Sequence, residues 1–458
     1  MLPLDGGDLI LRRSSVEAFA ASLRGELLLQ GHAGYDARRR VWNGMFDRRP
    51  ALIACCTGVA DVRRAVDFAR EHELLTAVRA GGHSQSGKST CDGGLVIDLQ
   101  SMQGVRVDPQ TQQAYLEAGS LLGQLDREST AFGLATTAGT ISDTGAAGLT
   151  LGGGIGRLGR RFGLACDNVA SFDVVTADGR FLRASDDENT DLFWGLRGGG
   201  GNFGVVTSIA YRLHPMNPTI FGGNIAWPLD QARDAMRLYR DLAGEAPDVV
   251  NLMMDLHWEE TGPVFGVEAC WSGDHANGEK WLKPLRAHGK PAVDSIGPLP
   301  YVKIQSKDDV LFPNGGLFYL KSGFQTKLTD EGIDLILDVF GRTPRQFAMF
   351  SDHCGGAYAR VPLAATAFPR RDMAFVLALY AGWQDPSDSE DLIAKARAFW
   401  RELAPLTSGF YTNYAAVDTK LAGYQENYGA NLERLMTLKA EYDPMNLFRL
   451  NANVPPKA

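Results

Sequence analysis

One histidine in the chain is framed for chemistry. His83 lies in Arg79-Ala80-Gly81-Gly82-His83-Ser84-Gln85-Ser86-Gly87, where glycines permit positive φ and let successive backbone N–H groups form a nest for an anion such as a pyrophosphate. An imidazole at the rim of such a nest can act as a nucleophile toward a bound ligand. The plainer alternative is a tight turn whose histidine only packs. Two more glycine clusters follow, Gly145 to Gly159 and Gly198 to Gly204. Each glycine costs extra backbone entropy on folding, so three such loops in one region point to a large, rigid ligand lying among them. Two further stretches carry titratable side chains, Tyr411-Thr412-Asn413-Tyr414 and Phe350-Ser351-Asp352-His353, the latter an Asp-His pair at the end of a strand-like run beside two glycines. A tyrosine, with an ordinary pKa of ~10, serves as a base near neutrality only beside a suitable partner, which the sequence does not name. The plainer readings are edge-strand aromatics and a solvated strand end, where alternation lets only one of Asp352 and His353 face inward.

The elements that position these groups follow from hydrophobic spacing. Leu74 to Val78 and Gly94 to Leu99 read as strands entering and leaving the His83 loop. Ala51 to Cys56 reads as a buried strand, and apolar positions 59, 62, 65, 66 and 69 predict a helix after it, giving a βαβ-like unit. Residues 114 to 118 and 134 to 137 extend the pattern. Phe172 to Ala177 and Phe181 to Ser185 flank Asp178-Gly179, a hairpin signal. A short helix is expected near Ser15 to Leu23, and another over Asp388 to Leu403. Between 213 and 410, strands alternate with helices.

Gly154-x-Gly156-x-x-Gly159, with Asp173 downstream, matches the dinucleotide fingerprint literally and supplies a rival, an NAD-dependent Rossmann dehydrogenase. Its context is poor, because glycine-broken sequence precedes it and Gly163 interrupts the helix that should follow.

Composition narrows the partners. With 46 Lys plus Arg against 54 Asp plus Glu, a net charge of −8 without long runs offers no basic footprint for nucleic acid or an anionic membrane. No apolar run is long enough to span a bilayer. Six cysteines without C-x-x-C spacing, and no secretory signal at Met1 to Ile10, where Asp5 and Asp8 fall, predict a cytoplasmic chain with no metal site. A small-molecule substrate is expected; the sequence carries no signal of oligomeric state.

Taken together, Arg79 to Ser84, Leu151-Gly-Gly-Gly-Ile-Gly-Arg-Leu158, Arg161 to Asn168, Asp191 to Gly204, Tyr411 to Tyr414 and Tyr442 to Arg449 resemble the berberine-bridge-enzyme-like oxidoreductases of the vanillyl-alcohol-oxidase superfamily. The resemblance spans nearly the whole chain in the right order. It implies an α+β architecture: a two-subdomain PCMH-type FAD-binding domain (1–212), an α+β substrate domain with an antiparallel sheet (213–410), and a C-terminal segment (411–458) returning to the FAD domain. It implies FAD bound covalently through its 8α-methyl group to His83. Further cofactor contacts are expected from Arg79, Gly81, Gly82, Ser84, Gln85, Gly145, Gly148, Gly152, Gly153, Gly156, Asn202, Gly204, Val205, Val206, Asn413 and Asn451. Many family members add a second link through a cysteine eleven positions before the first glycine of the triple-glycine run; Ile141 stands there, implying a single link.

For the chemistry, the family motif Tyr-x-Asn-Tyr-x-Asp puts the base on Tyr414, with Tyr411 and Asp352 as further catalytic candidates. Ala416 replaces the motif's final Asp, and Asp418 follows two positions later. The implied reaction removes hydride from a C–H beside a hydroxyl or amine of a small organic or sugar-like substrate. Electrons then pass to dioxygen, giving hydrogen peroxide. The family gates oxygen three positions after the second-link cysteine, where this chain has compact Thr144. A dehydrogenase with another acceptor, or a flavoprotein without catalysis, are the alternatives.

Overall fold

A computed structural model describes residues 1–4, 6, 7 and 9–457; Asp5, Asp8 and Ala458 lie outside the described residues. Near the N-terminus the buried runs pair as expected. Leu52–Cys55 and Thr76–Arg79 both run parallel to Leu95–Asp98, and Leu27–Leu28 closes the edge antiparallel. Helix Val59–Glu71 crosses between the first two of these strands and buries Val62, Ala65, Val66 and Ala69 of the expected stripe; Val59 is only partly buried and Phe68 joins the buried face.

A second, five-stranded antiparallel sheet has the order Val105–Asp108, Gln113–Glu117, Val205–Arg212, Val169–Val175, Phe181–Ser185. Its last hairpin turns at Gly179, whose φ of 81° is the left-handed conformation that a Gly there accommodates. The expected strand at 134 to 137 shortens to Leu134–Ala135, paired with His214–Pro215.

The middle of the chain builds an eight-stranded antiparallel sheet. Gly262–Trp271, Val250–Glu259, Phe347–His353, Phe375–Trp383 and Leu317–Gln325 lie side by side in that order, the last forming one edge of the sheet. Helices Ala232–Gly244, Asp330–Gly341 and Ser389–Leu403 bury apolar stripes in the same core as this sheet. Two large cores result. One gathers residues between Phe19 and Leu213 together with Ala415, Tyr424, Leu435, Phe448 and Val454; the other runs from Phe221 to Ala416.

The C-terminal helix Leu432–Tyr442 packs Leu435, Leu438 and Tyr442 into the first core. Its Lys439, fully buried, donates to the Asn202 and Phe448 carbonyls and pairs with Asp443 at 2.5 Å, tying the third glycine cluster to the chain end.

The dinucleotide fingerprint loses its context. Helix Ala146–Leu151, not a strand, leads into it, and the helix after it spans only Gly159–Phe162 before Gly163 ends it at φ 87°. Asp173 lies within the second sheet, its carboxylate accepting from Ser208 at 2.6 Å. Among the described residues no helix is long and apolar enough to cross a membrane.

Candidate active site

The three glycine loops converge on one cavity of about 660 Å³, closed by Tyr411 to Tyr414, by the C-terminal run Phe448 to Ala452, and by the large sheet. Gly81 and Gly145 bring two of the loops into backbone contact, so close that a Cβ on either would strike the other. A Cβ at Gly148 or Gly201 would instead meet nothing within 4 Å. From Gly81 to Ser86 no backbone N–H donates a hydrogen bond among the described residues. Gln85 Oε1, Ser89 Oγ and Asn451 Oδ1, all buried on cavity-lining residues, also lack partners. Buried polar groups are normally paired, so this concentration of unpaired donors and acceptors suits a ligand rich in phosphate, hydroxyl and ring heteroatoms such as FAD.

His83 is held from two sides. Trp42 stacks on its ring at 4.1 Å, and Phe318 stacks on Trp42 at 4.6 Å. Trp42 is itself fixed by its indole N–H, which donates to the Phe312 carbonyl at 2.8 Å. Asp143 Oδ1 approaches His83 Nε2 at 3.4 Å. Burial opposes the charge on Asp143, yet His83 and Asn314 hold its carboxyl below the usual carboxylate range. Nearby, Lys88 donates to the Asn451 carbonyl at 2.5 Å and lies 3.8 Å above the Tyr424 ring; with no carboxylate partner among the described residues, burial lowers its pKa to about 7.

At the substrate end, Tyr411 and Tyr414 serve different neighbours. The Tyr411 hydroxyl accepts from the N–H groups of Gly154 at 3.0 Å and Ile155 at 3.1 Å, and from Asn413 at 2.7 Å. Asn413 also donates to the Leu149 carbonyl, so it ties the loop to the second glycine cluster. Tyr414, half-buried, packs edge-on against Phe350 at 5.6 Å. Asp352, 2% exposed, shares that strand face two residues on. Burial raises its pKa to about 7, while the Tyr414 hydroxyl beside it pulls the other way. Burial, then Asp352, lifts Tyr414 well above the tyrosine range. The two groups are close enough to perturb each other, yet neither Asp352 oxygen completes a well-aligned hydrogen bond.

His353 points to the opposite face. Its Nδ1 accepts from the Leu252 N–H at 3.3 Å, its Nε2 meets the Ala243 carbonyl at 3.2 Å, and burial drives its pKa well down. Asp418 holds the end of the tyrosine loop, accepting from Lys321 at 2.7 Å and from Tyr319 and Arg397 at 2.9 Å each. Ala416 therefore leaves that loop anchored.

One wall of the cavity is ionic. Arg157, in the second glycine cluster and fully buried, grips Glu268 at 2.6 and 2.9 Å and Asp308 at 2.9 Å; Lys307 reaches Glu268 at 2.8 Å. Burial opposes the Glu268 charge, but Arg157 and Lys307 hold its carboxyl well below the usual range. Arg160 donates to the Val250, Ala246 and Cys354 carbonyls, and Arg371 pairs with Asp167 at 2.7 Å. The glycine cluster is thus riveted to the large sheet.

Of the residues singled out from sequence, Gly81, Gly82, His83, Ser84, Gln85, Gly145, Gly148, Gly152, Gly204, Val206, Tyr411, Asn413, Tyr414 and Asn451 line the cavity, and Asp352 stands behind Tyr414. Arg79, Gly153, Gly156, Asn202 and Val205 do not line it. Arg79 points to the other side of its strand and donates to the Arg38 carbonyl. A Cβ at Gly153 would strike Phe368, and one at Gly156 the Ala138 carbonyl, so both are glycine for chain packing. Asn202 joins Gly199 and Ala452 to Val454, and Val205 is core. The sequence reading passed over Trp42, Lys88, Asp143 and the Arg157 group. Lys88 lies five residues after His83, Asp143 precedes Thr144, and Arg157 stands inside the Leu151 to Leu158 run, so all three were within reach of local motifs, whereas Trp42 was not.

Comparison with known proteins agrees with this geometry. A family model for an FAD binding domain matches residues 50–185, and one described as berberine and berberine like matches residues 410–455. The chain is 31% identical over 447 residues to an FAD-linked oxidoreductase of Dictyostelium discoideum, covering 96% of this chain and 97% of that one. It belongs to the berberine-bridge-enzyme-like FAD-linked oxidoreductases, and it is an FAD-dependent enzyme. More particularly, it is similar to (R)-6-hydroxynicotine oxidase of Paenarthrobacter nicotinovorans, with 30% identity covering 97% of this chain and 99% of that relative. The solved structure of 6-hydroxy-D-nicotine oxidase from Arthrobacter nicotinovorans superposes with a TM-score of 0.88 at 29% identity, covering 95% and 99% of the two chains. That of a chitooligosaccharide oxidase gives 0.86 at 26%, covering 97% and 100%. The fold is the α+β PCMH-type flavoprotein architecture.

Proposed function

We propose that this enzyme is an oxidase in which Tyr414, backed by Asp352, takes the proton of a substrate hydroxyl or amine as hydride leaves the adjoining carbon. The buried Asp352 carboxyl beside the Tyr414 hydroxyl carries this reading. FAD, when bound, accepts the hydride and passes the electrons onward. A lone tyrosine of pKa ~10 holds its proton near neutrality, and burial strengthens that hold. An ionised Asp352 removes the obstacle by accepting the Tyr414 O–H. The phenol oxygen then gains the substrate proton while its own passes to the carboxylate. Asp352, lifted to about 7, becomes competent as pH rises through that value. Tyr411 has the holding role, its oxygen committed to Gly154, Ile155 and Asn413.

His83 carries the cofactor through one covalent link, a reading supported by its place on the cavity rim and by Ile141 at the second-link position. The remaining contacts to FAD come from the cavity-lining glycine loops with Ser84, Gln85, Val206, Asn413 and Asn451. Dioxygen is the electron acceptor, in keeping with compact Thr144 on the cavity wall. The substrate is a small organic alcohol, amine or sugar-like molecule, held between Phe350, Tyr380 and the ionic wall. Relatives named as oxidases of 6-hydroxynicotine and of chitooligosaccharides favour that size class. The division at 1–212, 213–410 and 411–458 fits the two cores, and a cytoplasmic setting fits six free, buried cysteines. Anaerobic bleaching by a screened substrate, followed over pH 5 to 9, tests the mechanism: the rate should climb through about 7. Air should then restore the colour within seconds with one peroxide per turnover. A pH-flat reduction rate, or recovery that needs an added acceptor, would contradict it.

A further inference from the structure

We propose that Asp143 is the positioning residue that readies His83 for bonding to the flavin, an inference that rests on the covalent link proposed above. Asp143 Oδ1 and His83 Nε2 face each other at 3.4 Å. Both atoms are buried, and neither makes a hydrogen bond among the described residues. The carboxylate is held in place from elsewhere in the fold. Its Oδ2 accepts from Asn314 at 2.9 Å, and neighbouring Ser142 donates its N–H at 2.8 Å and its hydroxyl at 2.5 Å to Asp309. Trp42 fixes the plane of the ring. His83 Nδ1 makes no hydrogen bond among the described residues and retains exposure, so it is the nitrogen left facing the cavity.

A carboxylate opposite Nε2 keeps the proton on that nitrogen and leaves the lone pair on Nδ1, the arrangement in which a neutral imidazole attacks carbon. In the attachment, Nδ1 forms a C–N bond to the 8α carbon as one C–H of that methyl group breaks. The methyl proton leaves to solvent, and the C–H electron pair reduces the ring system. The imidazole would gain positive charge as the bond forms. Asp143 offsets that charge and accepts the Nε2 proton, which then passes to solvent. Dioxygen takes up the two electrons and two protons as hydrogen peroxide and restores the oxidised flavin.

The experiment uses apoprotein purified from flavin-limited cells and incubated with FAD in air. At intervals the protein is precipitated with acid, and the flavin remaining in the pellet is measured. Reversible FAD binding is titrated separately without oxygen. Asp143→Asn should attach FAD at least ~10-fold more slowly, as loss of a proton-handling group does, while binding it reversibly within about twofold of wild type. Asp143→Glu, which restores the carboxylate, should recover much of the rate. Wild-type attachment by Asp143→Asn, equal defects in the Asn and Glu variants, or loss of reversible binding would each overturn the assignment. If wild-type protein itself releases all its flavin in acid, as His83→Ala should, the covalent link fails and this inference falls with it.

Discussion

Tyr411 and Tyr414 meet edge to face at 4.8 Å, but their hydroxyls answer to different parts of the molecule. Tyr411 receives the N–H groups of Gly154 and Ile155, whereas Tyr414 faces Asp352. Conservative substitutions should therefore separate in kind. Tyr414→Phe deletes the proton acceptor and should slow flavin reduction by ~10²–10⁴ while leaving stability nearly unchanged. Tyr411→Phe strands two buried backbone donors, at about 1–3 kcal/mol each, and should lower thermal stability far more than rate. Stopped-flow reduction and thermal melts of both variants would show the crossover; equal rate losses would defeat it.

Asp352→Asn should lose activity and gain stability, with a pH signature. The carboxyl pKa of about 7 in the folded chain stands above the ordinary value, so the folded state binds the extra proton between ~4 and ~7. That contribution is complete below the unfolded value and is lost as pH rises through about 7. Asparagine cannot ionise. The melting temperature of the variant should accordingly gain on wild type from pH 5 to pH 8 by a few degrees, then level off. A constant difference across that range would show that the carboxyl does not titrate there.

A single link to His83 predicts one flavopeptide after proteolysis, containing His83 and no cysteine peptide. Ile141 lines the cavity, so Ile141→Cys tests whether the second-link position has been lost only by side chain. A bicovalent peptide in the variant, and none in wild type, is the expected mass spectrum.

Arg157→Met should be costly even though the replacement fills similar space. Glu268 would be left buried with only Lys307, and breaking one partner of a buried ion pair typically costs about 3–5 kcal/mol. Because the same guanidinium joins the glycine cluster to the large sheet, denaturant unfolding should shift and flavin retention should fall together. A variant with unchanged midpoint would reduce this network to decoration.

What the sequence made legible was local. The βαβ unit, the Asp178-Gly179 hairpin and the glycine loops announce themselves through spacing and backbone demands within a few residues. The site's pairings could not be read that way. Arg157 lies 111 residues from Glu268, and the Asn43 side chain reaches the Phe318 carbonyl across 275. Neither distance leaves a periodicity. Arg79 shows the reverse case, in which a motif position outweighed a simpler rule. Thr76, Val78 and Ala80 line the cavity, so strand alternation alone turns residue 79 away from it. Gly153 and Gly156 illustrate a further limit, since a glycine demanded by a neighbouring chain looks the same in sequence as one demanded by a ligand.

The stack of His83, Trp42 and Phe318 sets an order of events in the life of the chain. Translation delivers residues 42 and 83 early, but Phe318 belongs to a strand that pairs with Phe375–Trp383, so the aromatic support is finished only after most of the polypeptide has emerged and its two cores have docked. Maturation of the holoenzyme is therefore a late step that certifies assembly. Defects in the distant second core that merely loosen docking will surface as pale, flavin-poor protein before they surface as misfolded protein.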